Sequence, residues 1–111
     1  MAPEATPAAR LTRPGTFVMR TTKLRGTPHF FGRHDADVTA AAERFLARGC
    51  PICGARLHGA NVEPVATAAD AWRDECRLWH RLCAEEGLCN AGHPIRTPGS
   101  DWTCPEAGCA G

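Results

Sequence analysis

The 111-residue chain has no tyrosine, a single lysine and few aromatic residues, with three tryptophans and four phenylalanines. Ala and Gly make up much of its apolar content, and small side chains bury little area, so a thick hydrophobic core is excluded. It also lacks a long apolar run. Nothing approaches the roughly 18–20 residues of a membrane span. The opening MAPEATPAARLTRPGT has no apolar stretch of signal-peptide length. These absences lead us to expect a cytoplasmic protein without membrane contact. A net charge of +1 excludes a polycation acting through bulk charge. The Arg-for-Lys bias, with abundant Ala, Gly and Pro, suggests a bacterial GC-rich genome.

Cysteine, in contrast, is abundant, with seven in the chain. In a reducing compartment clustered cysteines are more often metal ligands than disulfides, and an odd number does not close a disulfide framework. Residues 1–14 carry Pro3, Pro7 and Pro14 among small residues and read as a disordered tail. Residues 15–48 read as a basic hairpin plus a helix. Phe17 to Arg25 form one strand, and His29-Phe30-Phe31 return as the second. Asp35 or Asp37 caps a helix running to Arg48, with Val38, Ala41, Ala42, Phe45 and Leu46 at helical spacing and Gly49 as the stop. Residues 49–111 read as a zinc-binding region forming one compact domain with 15–48. Within it, Gly59-Ala60-Asn61 suggests a turn tip. Thr67 to Asp70 reads as a capping start for a helix to about Glu86, with Ala69, Trp72, Cys76, Trp79 and Cys83 as one stripe. The remainder is irregular, with Pro94, Pro98 and Pro105, and a short strand pair near Ile95 and Trp102. The expected fold is thus a small α+β zinc-stabilised domain with an N-terminal β-hairpin, two helices and two zinc knuckles.

The metal chemistry rests on spacing. In Cys50-Pro51-Ile52-Cys53-Gly54, two thiolates on one tight turn face one ion. Cys104 and Cys109 form a looser pair. Cys76 and His80 are i, i+4 on the second helix, and His80 and Cys83 are i, i+3, so either pair shares a face. Cys76 and Cys83 lie about 10 Å apart along the axis and do not ligate one ion together. The candidate ligands are Cys50, Cys53, Cys76, His80, Cys83, Cys89, Cys104 and Cys109, for two zinc ions. Three assignments follow. One is sequential, with Cys50, Cys53, Cys76 and His80 in the first site and Cys83, Cys89, Cys104 and Cys109 in the second. A second has His93 in place of Cys83 in the C-terminal site. A third is interleaved. His29, His34 and His58 read as ordinary polar residues.

The CPICG knuckle, the short segment after it and a helix carrying ligands make residues 50–109 resemble treble-clef and zinc-ribbon modules. That resemblance implies a structural class. The ligand order Cys, Cys, Cys, His, Cys, Cys, Cys, Cys also resembles the cross-brace of RING domains, although the spacings and the long central helix depart from it. A knuckle shortly before His58 and Asn61 is similar to HNH nucleases, but Leu57 stands where that family has a further Asp or His.

Arg10, Arg13, Arg20, Lys23, Arg25 and Arg33 place +6 in residues 10–33 with no acid, which leaves −5 elsewhere. Arg pairs with phosphates, and Phe17, Phe30 and Phe31 offer stacking faces. The leading expectation is a non-catalytic binding module contacting nucleic acid through Arg20, Lys23, Arg25 and Arg33. The alternatives are a protein–protein adaptor, an HNH-type nuclease and a zinc site that responds to oxidation.

Overall fold

A computed structural model describes residues 12–21 and 28–109. The chain runs β1 (Gly15–Arg20), β2 (Pro28–His34), α1 (Val38–Arg48), β3 (Gly59–Pro64) and α2 (Ala68–Leu82). It is a small α+β fold: a three-stranded antiparallel sheet in the order β2-β1-β3, with two helices.

Because β1 is central, alternate residues meet opposite helices. Phe17 and Met19 are buried with Val38, Ala41 and Ala42 of α1 and with Leu57. Phe30 and Phe45 join Phe17 on this side, with ring centroids 5.4–6.1 Å apart. Val18 pairs with Phe31, so Phe31 lies on the α2 side. There Trp72, Cys76 and Leu78 are buried on the helix. Gly32 lies opposite Phe17, and the ring occupies the space a Cβ would need.

Local signals account for the helix starts. Asp37 accepts a hydrogen bond from the Ala40 amide at 3.1 Å, and Thr67 Oγ1 accepts one from the Asp70 amide at 3.1 Å. Four expectations are corrected. Strand β1 begins at Gly15 and ends at Arg20, and residues 22–25 of the expected strand lie outside the described residues. Residues 59–61 open β3, where Met19 pairs with Ala60 and Val18 with Asn61, instead of forming a turn tip. Helix α2 stops at Leu82, since Cys83, Ala84, Glu85 and Glu86 are exposed and burial ceases to reward continuation. No strand forms near Ile95 or Trp102 among the described residues. Of the expected stripe, Trp72 and Cys76 are buried, whereas Cys83 is exposed. Of the 1–14 tail, residues 1–11 lie outside the described residues.

Candidate functional site

Among the described residues, two groups of His and Cys side chains come together, each with four potential ligand atoms within 4.8 Å of one another: His29, Cys50, Cys53 and Cys89; and His80, His93, Cys104 and Cys109. Either group could hold a metal ion.

The first group is assembled from three segments. The knuckle after α1 turns back on itself, with the Gly54 amide donating to the Cys50 carbonyl at 2.9 Å and the Cys50 amide to the Ala55 carbonyl at 2.8 Å. Gly54 adopts φ 79°, a conformation suited to glycine, and the next amide, of Ala55, points at Cys53 Sγ from 3.5 Å. His29 is supplied by an irregularity in the sheet. The register passes from Met19 opposite Phe30 to Arg20 opposite Pro28, so His29 has no cross-strand partner. Such bulges re-aim a side chain. His29 Nε2 lies 3.1 Å from Cys53 Sγ and 3.3 Å from Cys89 Sγ. Cys89 is docked on the outer edge of β2. Its amide donates to the His29 carbonyl at 2.7 Å, and the Asn90 side chain bonds both backbone groups of Phe31 at 2.8–2.9 Å.

The electrostatics of this group favour a cation. Burial opposes ionisation of Cys50, but hydrogen bonds from the Cys53 and Ile52 backbone overcome it and hold the thiol below its ordinary value. Burial, with the facing sulfurs of Cys53 and Cys50, pushes the Cys89 thiol up to about 12. Three crowded sulfurs resist becoming three thiolates unless a positive ion joins them.

The second group hangs from the end of α2. His80 Nε2 lies 3.4 Å from Cys104 Sγ. His93 Nδ1 lies 2.8 Å from the Pro94 carbonyl, which fixes the proton on that nitrogen. Nε2 then carries the lone pair, and it is buried without a hydrogen-bond partner. A buried acceptor with no donor is costly in an ordinary core and is what a metal ligand requires. The coil that brings Cys104 and Cys109 to α2 is tied by Trp72, whose Nε1–H donates to the Thr103 carbonyl at 3.0 Å.

Six of the eight residues proposed as ligands from sequence are in these groups: Cys50, Cys53 and Cys89 in the first, and His80, Cys104 and Cys109 in the second. The other places are taken by His29 and His93. Cys83 is exposed and outside both groups. Cys76 is buried and also outside, one helical turn before His80 and with the Cys104 sulfur near it. Burial and that neighbouring sulfur push Cys76 up to about 12. Chain order and grouping do not coincide, since His80 of the second group precedes Cys89 of the first.

The basic residues are distributed differently from the expectation. Lys23 and Arg25 lie outside the described residues. Arg20 donates to Asn61 Oδ1. Arg33 is turned inward, with its side chain 11% exposed. It bonds Asp35 at 2.9 Å, Glu75 at 2.5 Å and Thr97 at 3.0 Å, and its guanidinium carbon lies 5.3 Å from the Trp72 ring and 5.9 Å from that of Trp102. Thr97 in turn donates to Asp35 at 2.5 Å. Burial works against ionisation of Asp35, yet the bonds from Thr97 and Arg33 hold it below its ordinary value, whereas burial leaves Glu75 above its own despite Arg33. His58 is exposed beside β3 and belongs to neither ligand group.

No family model matches the chain, and no curated protein or solved structure is significantly similar to it. No helix among the described residues is long and apolar enough to cross a membrane.

Proposed function

We propose that this protein is a non-catalytic binding module stapled by two zinc ions, and that it contacts nucleic acid through its basic segment. The observation that carries the reading is the pair of four-donor groups, one Cys3His and one Cys2His2. Mixed sulfur and imidazole donors suit zinc. Tetrahedral zinc, with bonds of about 2.0 Å to nitrogen and 2.3 Å to sulfur, sets nitrogen and sulfur about 3.5 Å apart. The separations of 3.1, 3.3 and 3.4 Å are close to that value. Four protein ligands complete the coordination and leave no place for substrate or activated water, so such ions build structure.

The nucleic-acid part of the reading is supported by the uninterrupted positive charge of residues 10–33. With Arg33 engaged internally, Arg20, Lys23 and Arg25 are the proposed phosphate contacts. A protein–protein adaptor is the second reading, favoured by exposed apolar side chains at Ile52 in the knuckle and Ile95 in the C-terminal coil.

Native mass spectrometry of protein prepared without chelator tests the zinc. Two ions per chain are expected, and a folded chain with none defeats the proposal. Fluorescence anisotropy with a short DNA tests the partner. Three phosphate contacts predict about a 40-fold loss of affinity between 50 and 200 mM salt. Joint substitution of Arg20, Lys23 and Arg25 by Ala should abolish that dependence. Absence of binding at low salt would leave the adaptor.

A further inference from the structure

We propose that Cys76 and Cys104 are a modification site: a hydroperoxide joins them as a disulfide and the metal leaves the second group. The inference rests on the zinc reading. Its basis is the distribution of sulfur. In the first group all three cysteines are donors to the ion, and Cys83 is exposed elsewhere. Among the described residues, only the second group has a spare cysteine sulfur near it. Cys76 stands one helical turn before His80 on α2 and is fully buried, and His80 Nε2 lies 3.4 Å from Cys104 Sγ, so Cys76 shares the helix face that meets Cys104. Since His80, His93, Cys104 and Cys109 already provide four donors, the ion has no need of Cys76.

The two sulfurs have complementary surroundings. Cys104 is partly buried whereas Cys76 is fully buried, so a small oxidant would meet Cys104 first. In the first step the Cys104 thiolate attacks a peroxide oxygen. The O–O bond breaks, hydroxide leaves, and Cys104 becomes a sulfenic acid, oxidised by two electrons. In the second step Cys76 Sγ attacks Cys104 Sγ and the S–O bond breaks. The thiol proton of Cys76 leaves with the sulfenic hydroxyl as water. One thiolate, one thiol and one hydrogen peroxide become one disulfide, one water and one hydroxide. The ion loses a thiolate, and a disulfide sulfur is too poor a donor to replace it. A thiol reductant restores both sulfurs.

The test treats zinc-loaded protein with hydrogen peroxide and follows two readouts over time, the zinc count by native mass spectrometry and the disulfides by peptide mapping. One of two ions should leave, in step with a Cys76–Cys104 cross-link, and reductant with zinc should restore the count of two. Cys76→Ser should bind two ions at the start and release the second at least about tenfold more slowly. Release from Cys76→Ser at the wild-type rate would overturn the proposal. So would a first cross-link between Cys104 and Cys109, or between Cys50 and Cys53. Early mapping of the wild-type chain decides the matter even if the variant fails to fold. Protein with no zinc before treatment would defeat the zinc reading, while absence of the Cys76–Cys104 cross-link would defeat this one.

Discussion

Replacing Arg33 with Ala separates a phosphate contact from a structural hub. The Arg33–Glu75 pair is the costly one to break, because the two side chains are only 11% and 13% exposed. Removing one partner of a buried pair leaves the other charge unmatched and typically costs about 3–5 kcal/mol. The bond to Asp35 adds less, since that carboxylate is 36% exposed and exposed pairs contribute about 0–1 kcal/mol. The stacking on Trp72 and Trp102 adds about 0.5–1 kcal/mol for each ring. The expected loss is therefore at least about 3 kcal/mol, a large share of the roughly 5–15 kcal/mol that holds a domain folded. Thermal unfolding at fixed, saturating zinc should show the midpoint falling by about 12 °C or more. The double variant Arg33→Met with Glu75→Leu removes both charges and should recover most of that loss. If Arg33→Ala instead unfolds within about 0.5 kcal/mol of wild type and loses DNA affinity, the inward-facing role is wrong and Arg33 belongs with the phosphate contacts.

Three further outcomes follow from named contacts. Gly32→Ala places a Cβ 2.8 Å from Phe17 Cζ, in a ring cluster with Phe30 and Phe45 that leaves Phe17 little room. Chemical denaturation should register a loss of about 1–3 kcal/mol. Thr67→Ala removes the oxygen that accepts from the Asp70 amide; the same assay should show a loss near 1 kcal/mol, and no loss would mean that the cap contributes nothing. For the ligands, His29→Ala should reduce the zinc count from two to one while Cys83→Ser keeps both, and the opposite pattern would restore Cys83 to the ligand set.

Legibility followed the range of the interaction. Helix starts depend on three or four consecutive residues; Thr67 can be read directly, and the first start narrows to Asp35 or Asp37, of which Asp37 is the cap. The knuckle is equally local. His29 was not legible, because what distinguishes it from His34 or His58 is a bulge, and a bulge is a property of two paired strands. Strand β3 was missed for a related reason. GANVEP is weak as a strand on its own and is held by pairing with β1. Charge misled in the opposite direction. Arg33 looks like its basic neighbours in sequence, and only the fold reveals that Glu75, Thr97 and two indoles surround it.

From Ala84 to Cys109 the chain has neither helix nor strand, and Ile95 within it is 84% exposed. Apolar burial alone does not order such a stretch, since each fixed residue costs about 1–2 kcal/mol in backbone entropy. Polar anchors supplement the Trp102 ring beside Trp72: Asn90 on the edge of β2, Thr97 on Asp35 and Arg33, and Thr103 on Trp72. The two ligand groups lie at the points where these anchors begin and end, Cys89 at one and Cys104 with Cys109 at the other. Their interleaving has a consequence. His80 belongs to one group and Cys89 to the other, so the turn between them joins both, and His93 follows Cys89 by four residues. An ion in the first group fixes Cys89 and shortens the span that must be ordered to bring His93 to the second. Loop closure over a shorter free segment costs less entropy. The two ions should therefore bind with positive cooperativity. In a zinc titration followed by native mass spectrometry, the one-ion species should stay below its statistical share. A one-ion species that accumulates to that share would show that the two groups fill independently and that the Cys89–His93 segment does not couple them.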